Sequence, residues 1–307
     1  MTTDPAQRLD DAGQGHLVQH AATLPEEARA AFLDAAAGQP WDELSAALAQ
    51  AGSPVPELRP PQTYSLGRQL NQHEERKRIR RLGQGLLAGG RVATLLLAGG
   101  QGTRLGYDGP KGNVEFGPDQ GRTLYRIHAE RIAAASERYG KPIPLYVLLS
   151  AATEDATREA FAEGAEAWGL ASDQVHFLRQ GTLPALDDDG RALLAAPGAL
   201  ALAPDGHGGA FQALASSGVL ADLKAKGVDV LTTLQVDNPL GRSLDPLMLG
   251  WMVERRLQAI GKAVRKATPD EKVGVFARDL QGRTQIVEYS ELPPAPEPSA
   301  GEAMESP

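Results

Sequence analysis

At 307 residues, 42% of them apolar and 23% charged, the chain is long enough to bury one large α/β domain with a smaller appendage. A formal charge of −8 argues against a general nucleic-acid surface, and the absence of cysteine excludes disulfides, thiolate zinc sites and cysteine nucleophiles. No apolar run reaches the roughly 18 residues a transmembrane helix needs, and MTTDPAQRLDDAGQG lacks the basic-then-apolar pattern of a secretory signal, so a cytoplasmic protein with no membrane partner is expected.

Residues 1–60 alternate helical stretches with Pro and Gly breaks; in LPEEARAAFLDAAA, Leu24, Ala28, Phe32 and Ala35 fall near one helical face. The charge-rich stretch from Pro60 to Gly90 ends on Leu82, Leu86 and Leu87 before a Gly89-Gly90 stop, and reads as a helix entering the main domain. VATLLLA, from Val92, is a continuous apolar run of the kind buried on both faces of a parallel sheet. TLYRIHAERIAAASERYG follows as a helix, with Thr123 as N-cap, Leu124, Ile127, Arg131 and Ile132 near helical spacing, and Gly140 as its stop. Then come LYVLLS (145–150) as strand, ATREAFAEGAEAWG as helix, VHFLRQG as strand, a DDDG turn, GVLADLKAKG as helix and DVLTTLQVDN as strand. This alternation predicts a doubly wound α/β domain with a mostly parallel sheet flanked by helices. The division expected is a helical segment over 1–90, a main domain over 91–291 and a disordered tail over 292–307, where the composition falls to Pro, Ala, Glu and Ser.

The densest chemical signal is LLLAGGQGTRLGYDGPKG, where Gly99, Gly100 and Gly102 follow the apolar run and Arg104 and Lys111 stand seven residues apart. Glycines there let backbone N–H groups face oxyanions closely. The loop is neither a GxGxxG opening directly into a helix nor a GxxxxGK[ST] phosphate loop. Taken alone, the glycines also fit an ordinary turn with two surface cations. Asp237 closes TLQVDNP, and a carboxylate at the carboxyl end of a parallel strand points into the crevice where such sheets bind ligands; Asp-Asn-Pro is equally a strand-ending turn. His16, His20, His73, His128 and His176 carry the default structural reading, and Asp187, Asp188 and Asp189 read as a turn.

With LLLAGGQGTRLG, PKG, TLYRIHAERI, PIPLYVLLS, VHFLRQGTLPAL, LAPDGHGGAFQAL, VDNPL and IVEYSE in order, the chain resembles the UDP-sugar pyrophosphorylase family, the UDP-N-acetylglucosamine branch most of all, from about residue 85 to Glu291. The resemblance implies a Rossmann-like nucleotidyltransferase fold of the glycosyltransferase A type. It also implies a uridylyltransferase using UTP and a sugar 1-phosphate, with Mg²⁺, or Mn²⁺ in its place, as the metal. By the same resemblance Leu97, Ala98, Gly99, Gly100, Gly102 and Thr103 contact the nucleotide, Arg104 and Lys111 its phosphates, and Gln180 and Gly206 the uridine. Asp237 is then the metal ligand, His207, Gly274 and Glu288 face the sugar, and Lys266 is a phosphate-proximal lysine. His207 departs from the Asn that the N-acetylglucosamine branch carries in DGNGG and is similar to the His of UDP-glucose and broad UDP-sugar enzymes.

Family members continue past EYSE with further strands, a sugar-contacting Asn, another lysine and a C-terminal domain, whereas here the sequence turns into PPAPEPSAGEAMESP. The expectation is either a fragment or a short form that completes its sheet edge by self-association. Three functions stand at this point: a UDP-N-acetylhexosamine pyrophosphorylase, a UDP-glucose or broad UDP-sugar enzyme, and a UTP-binding fragment without turnover.

Overall fold

A computed structural model of the chain describes residues 4–50, 57–64, 73–118, 121–268 and 270–292. The proposed tail beyond residue 292 and residues 65–72 of the charge-rich stretch lie outside the described residues. Two compact units are present, one of residues 1–45 with 74–258 and one of 46–73 with 259–307.

The first unit opens with helices α1 (Pro5–Asp11), α2 (Gly15–Ala21), α3 (Glu26–Ala37) and the start of α4 (Trp41–Gln50), and re-enters with α5 (His73–Ala88). Strand β1 (Val92–Leu97), helix α6 (Leu124–Tyr139), β2 (Leu145–Leu149), α7 (Glu154–Gly164) and β3 (Val175–Arg179) follow. An excursion of four short strands comes next, β4 (Thr182–Pro184), β5 (Leu194–Ala196), β6 (Ala199–Leu200) and β7 (Leu202–Pro204). Helices α8 (Gly209–Ser216) and α9 (Val219–Ala225), strand β8 (Val230–Gln235) and helix α10 (Pro246–Arg255) complete it.

The main sheet runs β3-β2-β1-β8, with every neighbouring pair parallel. Leu95 is central, opposite Tyr146 on one side and Thr233 on the other. Because strand side chains alternate between faces, the apolar runs fill two cores. Val92, Leu96, Leu145, Val147 and Leu149 pack with Leu86 and Leu87 of α5, Tyr125 and Ile132 of α6, Phe161 of α7 and Leu249 of α10. Ala93, Leu95, Tyr146, Leu148 and Leu178 pack on the other face with Ala213 and Leu214 of α8 and Leu223 of α9. This is the doubly wound α/β architecture expected. Thr94 and Thr232, both buried, meet across β1 and β8 with hydroxyl oxygens 3.1 Å apart, satisfying each other inside the sheet.

Helix α6 starts where Thr123 Oγ1 accepts from the Arg126 N–H at 3.2 Å and stops where Gly140 turns left-handed at φ 66°. Helix α5 belongs with the sheet rather than with the preceding segment, since Leu86 and Leu87 of its buried face pack there. The units therefore do not divide at residue 90. Helices α5 and α10 approach so closely that a Cβ at Gly250 would lie 1.9 Å from the Ile79 carbonyl oxygen, and one at Gly83 would lie 1.9 Å from that of Pro246. Gly250→Ala is expected to force the pair apart and cost about 3 kcal/mol by overpacking, read as a drop in denaturation midpoint. An unchanged midpoint would mean that the helices separate freely.

The N-terminal helices dock on the excursion. Gln14, 5% exposed, donates through Nε2 to Gly190 O at 3.0 Å and accepts from Ala192 N–H at 2.9 Å, while His16 Nε2 donates to Ala192 O at 2.9 Å. The buried face of α3 differs from expectation: Phe32, Ala36 and Ala37 face Leu9, Leu17 and Trp41, whereas Ala28 and Ala35 are exposed. With alanine on every side of EEARAAFLDAAA, composition gives the helix no contrast between faces.

The second unit holds an antiparallel hairpin of β9 (Val275–Arg278) and β10 (Thr284–Val287), with Arg59 and Arg278 exchanging backbone hydrogen bonds of 2.8 Å. Its turn is tied by Asp279, which accepts from Arg283 N–H at 2.8 Å and from Arg283 Nε–H at 2.7 Å. Among the described residues, no helix is long and apolar enough to cross a membrane.

Candidate functional site

In the order β3-β2-β1-β8 the chain leaves β1 toward β2, then later returns to the opposite side of β1 as β8. The switch point thus lies at the carboxyl ends of β1 and β8, where open α/β sheets bind ligands. The segment after β1 folds back on itself, with Gly102 N–H bonded to Gly109 O at 2.7 Å and Lys111 N–H to Gly100 O at 3.1 Å. That pairing leaves Gly99, Gly100 and Lys111 at the root of the loop and lifts a short 3₁₀ turn, Thr103–Leu105, to its exposed tip. Gly106, at φ 71°, closes this turn in the left-handed region where glycine costs least.

The root lines a cleft of about 270 Å³, shared with Leu97, Gln180, Gly206, His207 and Asp237 among others. Lys111 Nζ donates to Asp237 Oδ2 at 2.7 Å, linking the two loops that leave β1 and β8; the side chains are 24% and 37% exposed. Gln180, placed by its N–H bond to Leu149 O at 2.8 Å, lies against Gly99, where a Cβ would stand only 2.3 Å from Gln180 Oε1. The absence of a side chain at residue 99 is therefore what admits the Gln180 amide. Gly206, at φ 68°, turns the chain between β7 and α8 and leaves His207 exposed at the cleft.

Beneath the cleft, α6 supplies groups that sequence reasoning left as structural. His128, 1% exposed, bonds through Nε2 to Val236 O at 2.9 Å, and burial holds its pKa below the ordinary histidine value, favouring the uncharged ring. A carbonyl only accepts, so Nε2 carries the proton. Arg131 donates to the carbonyls of Pro239 and Gly241 on the same loop. Burial pushes the Tyr125 phenol up to about 12, and its hydroxyl meets Thr157 Oγ1 at 2.8 Å. His128 and Arg131 were detectable in the sequence only as an i, i+3 pair on a predicted helix, a spacing that says nothing of the loop they grip.

The structure brings Leu97, Gly99, Gly100, Lys111, Gln180, Gly206, His207 and Asp237 to one cleft. Ala98 is buried beneath it, and Gly102 is buried against Tyr107. Thr103 and Arg104 stand exposed at the loop tip, and the Arg104 side chain has no ion pair among the described residues. In the second unit Gly274 and Glu288 are neighbours, with Glu288 Oε1 3.5 Å from where a Cβ would stand on Gly274. Lys266 lies half-buried in the same unit. Among the described residues no three His, Asp or Glu side chains converge as a metal cage. One carboxylate with room beside it suits a hard cation that arrives with phosphate and water ligands, so the donor set fits Mg²⁺ carried by a phosphate ligand.

A protein-family model described as UTP--glucose-1-phosphate uridylyltransferase matches residues 57–302. The chain is 39% identical over 230 residues to UDP-N-acetylglucosamine diphosphorylase 1 of Arabidopsis thaliana, covering 71% of this chain and 45% of that one. It is 38% identical over 310 residues to UDP-N-acetylhexosamine pyrophosphorylase-like protein 1 of Mus musculus, covering 95% of this chain and 61% of that one. A crystal structure of the uridine diphosphate N-acetylglucosamine pyrophosphorylase from Trypanosoma brucei superposes with a TM-score of 0.77 at 29% identity, over 95% of this chain and 62% of that one. The chain thus spans 45% to 61% of the length of these two curated relatives. With a family model covering residues 57–302 and a doubly wound sheet that superposes on such a structure, the chain belongs to the UTP--glucose-1-phosphate uridylyltransferase family.

Proposed function

We propose that the chain forms the nucleotide-binding side of a cytoplasmic uridylyltransferase that makes UDP-sugar and pyrophosphate from UTP and a sugar 1-phosphate. The observation that carries this reading is the cleft at the β1–β8 switch point, where a glycine root, a lysine, an aspartate and a glutamine amide converge. N-acetylglucosamine 1-phosphate is the proposed sugar substrate, supported by the N-acetylglucosamine and N-acetylhexosamine names of the relatives.

In the reaction an oxygen of the sugar phosphate attacks the α-phosphorus of UTP, the bond from that phosphorus to the bridging β-oxygen breaks, and pyrophosphate departs. No covalent nucleophile is required, so positioning and charge neutralisation supply the rate. The N–H groups of the Gly99–Gly100 root and the Lys111 ammonium face the phosphates at the cleft floor. Arg104, at the end of an exposed loop, is placed to swing onto the departing β- and γ-phosphates, where its planar fork matches two oxygens. Gln180 presents an amide to the edge of uracil beside Gly206. Asp237 would hold Mg²⁺, or Mn²⁺ in its place, together with the UTP phosphates. Bound there, the ion neutralises phosphate charge. His207 is proposed to face the sugar, as are Gly274 and Glu288, whose carboxylate accepts from sugar hydroxyls, and Lys266 is proposed as a phosphate contact.

Calorimetry on the purified chain tests the nucleotide. UTP with Mg²⁺ is expected to bind at least about tenfold more tightly than ATP, and Gln180→Ala to remove about that factor, one hydrogen-bonded amide's worth. Equal affinity for UTP and ATP in the parent chain would remove the uridine assignment.

A further inference from the structure

Helix α6 contacts the chain next to both members of the Lys111–Asp237 pair. At its first turn the Tyr125 ring lies against Gly112, the residue after Lys111, so closely that a Cβ on Gly112 would fall 2.0 Å from the ring. The ring is itself held by the bond from its hydroxyl to Thr157 Oγ1, which donates onward to Thr153 O at 2.6 Å. One turn further along, the buried His128 holds Val236 O, the carbonyl immediately before Asp237. Another turn on, Arg131 holds Pro239 O and Gly241 O, after Asp237. Residues 125, 128 and 131 recur every three positions and so share one side of the helix. The loop bearing Asp237 is thereby gripped on both sides of the carboxylate, by groups on the helix that also backs the lysine turn.

Strand β8 ends at Gln235, so residues 237–241 lie beyond the sheet ladder. Their own turn bonds, Asn238 N–H to Gln235 O and Gly241 N–H to Asn238 O, both at 3.1 Å, shape the loop without fixing it to the rest of the unit. Val236 N–H bonds to Leu97 O at 3.1 Å, which anchors only its first residue. Beyond that, the loop is held by the burial of Val236, by the Lys111–Asp237 ion pair and by the bonds from α6 on either side of Asp237.

We infer that α6 is a rigid brace that sets the distance between Lys111 and Asp237, with His128 and Arg131 as positioning residues for the Asp237 carboxylate and Tyr125 as the positioning residue for Lys111. This rests on the proposed reading of Asp237 as the metal-holding carboxylate. Loss of such supporting contacts typically costs 10- to 100-fold in metal affinity or activity.

The test uses the full 307-residue chain and two measurements: amide hydrogen exchange over residues 236–241, and UTP affinity with and without Mg²⁺. His128→Leu fills the same space but cannot donate, His128→Gln keeps an N–H donor near the Nε2 position, and the exposed Arg131→Met folds even where a buried change does not. His128→Leu and Arg131→Met are expected to speed exchange in 236–241 and to shrink the Mg²⁺-dependent gain in UTP affinity about tenfold. UTP affinity without Mg²⁺ should stay within about twofold, and His128→Gln should recover most of the gain. A purely structural role would lower both affinities together and would not be rescued by Gln. Unchanged exchange in 236–241, or faster exchange with the Mg²⁺ gain intact, overturns the brace. An Asp237→Asn control separates the two readings. If it abolishes the Mg²⁺ gain while the His128 and Arg131 variants do not, the brace alone fails; if it leaves the gain intact, the metal reading fails and takes this inference with it.

Discussion

Asp237→Asn is expected to lower kcat/KM by about 10³-fold while the chain stays folded, because on the proposed reading it removes the carboxylate that shares a cation with the nucleotide phosphates. The change is nearly isosteric, and the stability lost with the ion pair to Lys111 is small. Both side chains remain partly solvated, at 24% and 37% exposure, and such pairs contribute about 1 kcal/mol or less. The amide oxygen of Asn still accepts from the Lys111 ammonium but carries no full charge for a divalent ion. Far-ultraviolet circular dichroism should therefore match the parent, while a Mg²⁺ titration of activity loses its saturating rise. A variant that keeps its Mg²⁺ dependence and its rate would send the metal to another carboxylate.

The parallel sheet was legible in the sequence because its strands announce themselves. VATLLL and LYVLL are predominantly apolar on both faces, as strands buried under two helical layers must be, and VLTTLQ carries the β-branched Val230, Thr232 and Thr233 with its polar end, Gln235, at the cleft. The residues that alternate along them fill the two cores. Gly99, Gly100 and Lys111 were legible for a similar reason: a glycine cluster directly after a buried strand and a cation a few residues on make an unusual local string, and local strings survive folding. Asp237 was legible by position at a strand end. That its nearest cation is Lys111, 126 residues earlier in the chain, was not.

What escaped lies in long-range packing. Helix α10, capped by Asp245 with Pro246 at its first turn, carries an ordinary N-terminal signature. Its close crossing with α5 depends on Gly83 and Gly250 meeting face to face, which neither segment shows alone. The excursion β4–β7 is made of strands of two or three residues, too short for a period to be counted. His16 carried only the default structural reading and Gln14 none, and neither shows in sequence that Gly190 and Ala192 come against it. The place of Arg104 on an exposed loop tip, raised by the bond from Gly102 N–H to Gly109 O, is likewise set by backbone pairing that the residue string does not show. His128 took the default structural reading and is indeed buried and hydrogen-bonded. The atom it bonds, however, is the carbonyl next to Asp237.

Lys111→Ala should move two measurements in opposite directions. The Lys111 ammonium donates to the Asp237 carboxylate at 2.7 Å, so on the proposed reading a divalent ion and the lysine compete for the same oxygen. Removing the lysine frees the carboxylate, and affinity for Mg²⁺ alone should rise by up to about fivefold, the upper worth of a partly exposed ion pair. Turnover should fall instead, by about 10²- to 10³-fold, because the same ammonium is then missing from the phosphates as charge develops in the transition state. Lys111→Arg should recover little, since a compact ammonium and a planar fork present their donors differently. Metal binding by calorimetry without nucleotide and pyrophosphate release at saturating UTP separate the two effects. A fall in both would mean that Lys111 helps to hold the ion rather than competing with it, and no change in either would remove Lys111 from the site.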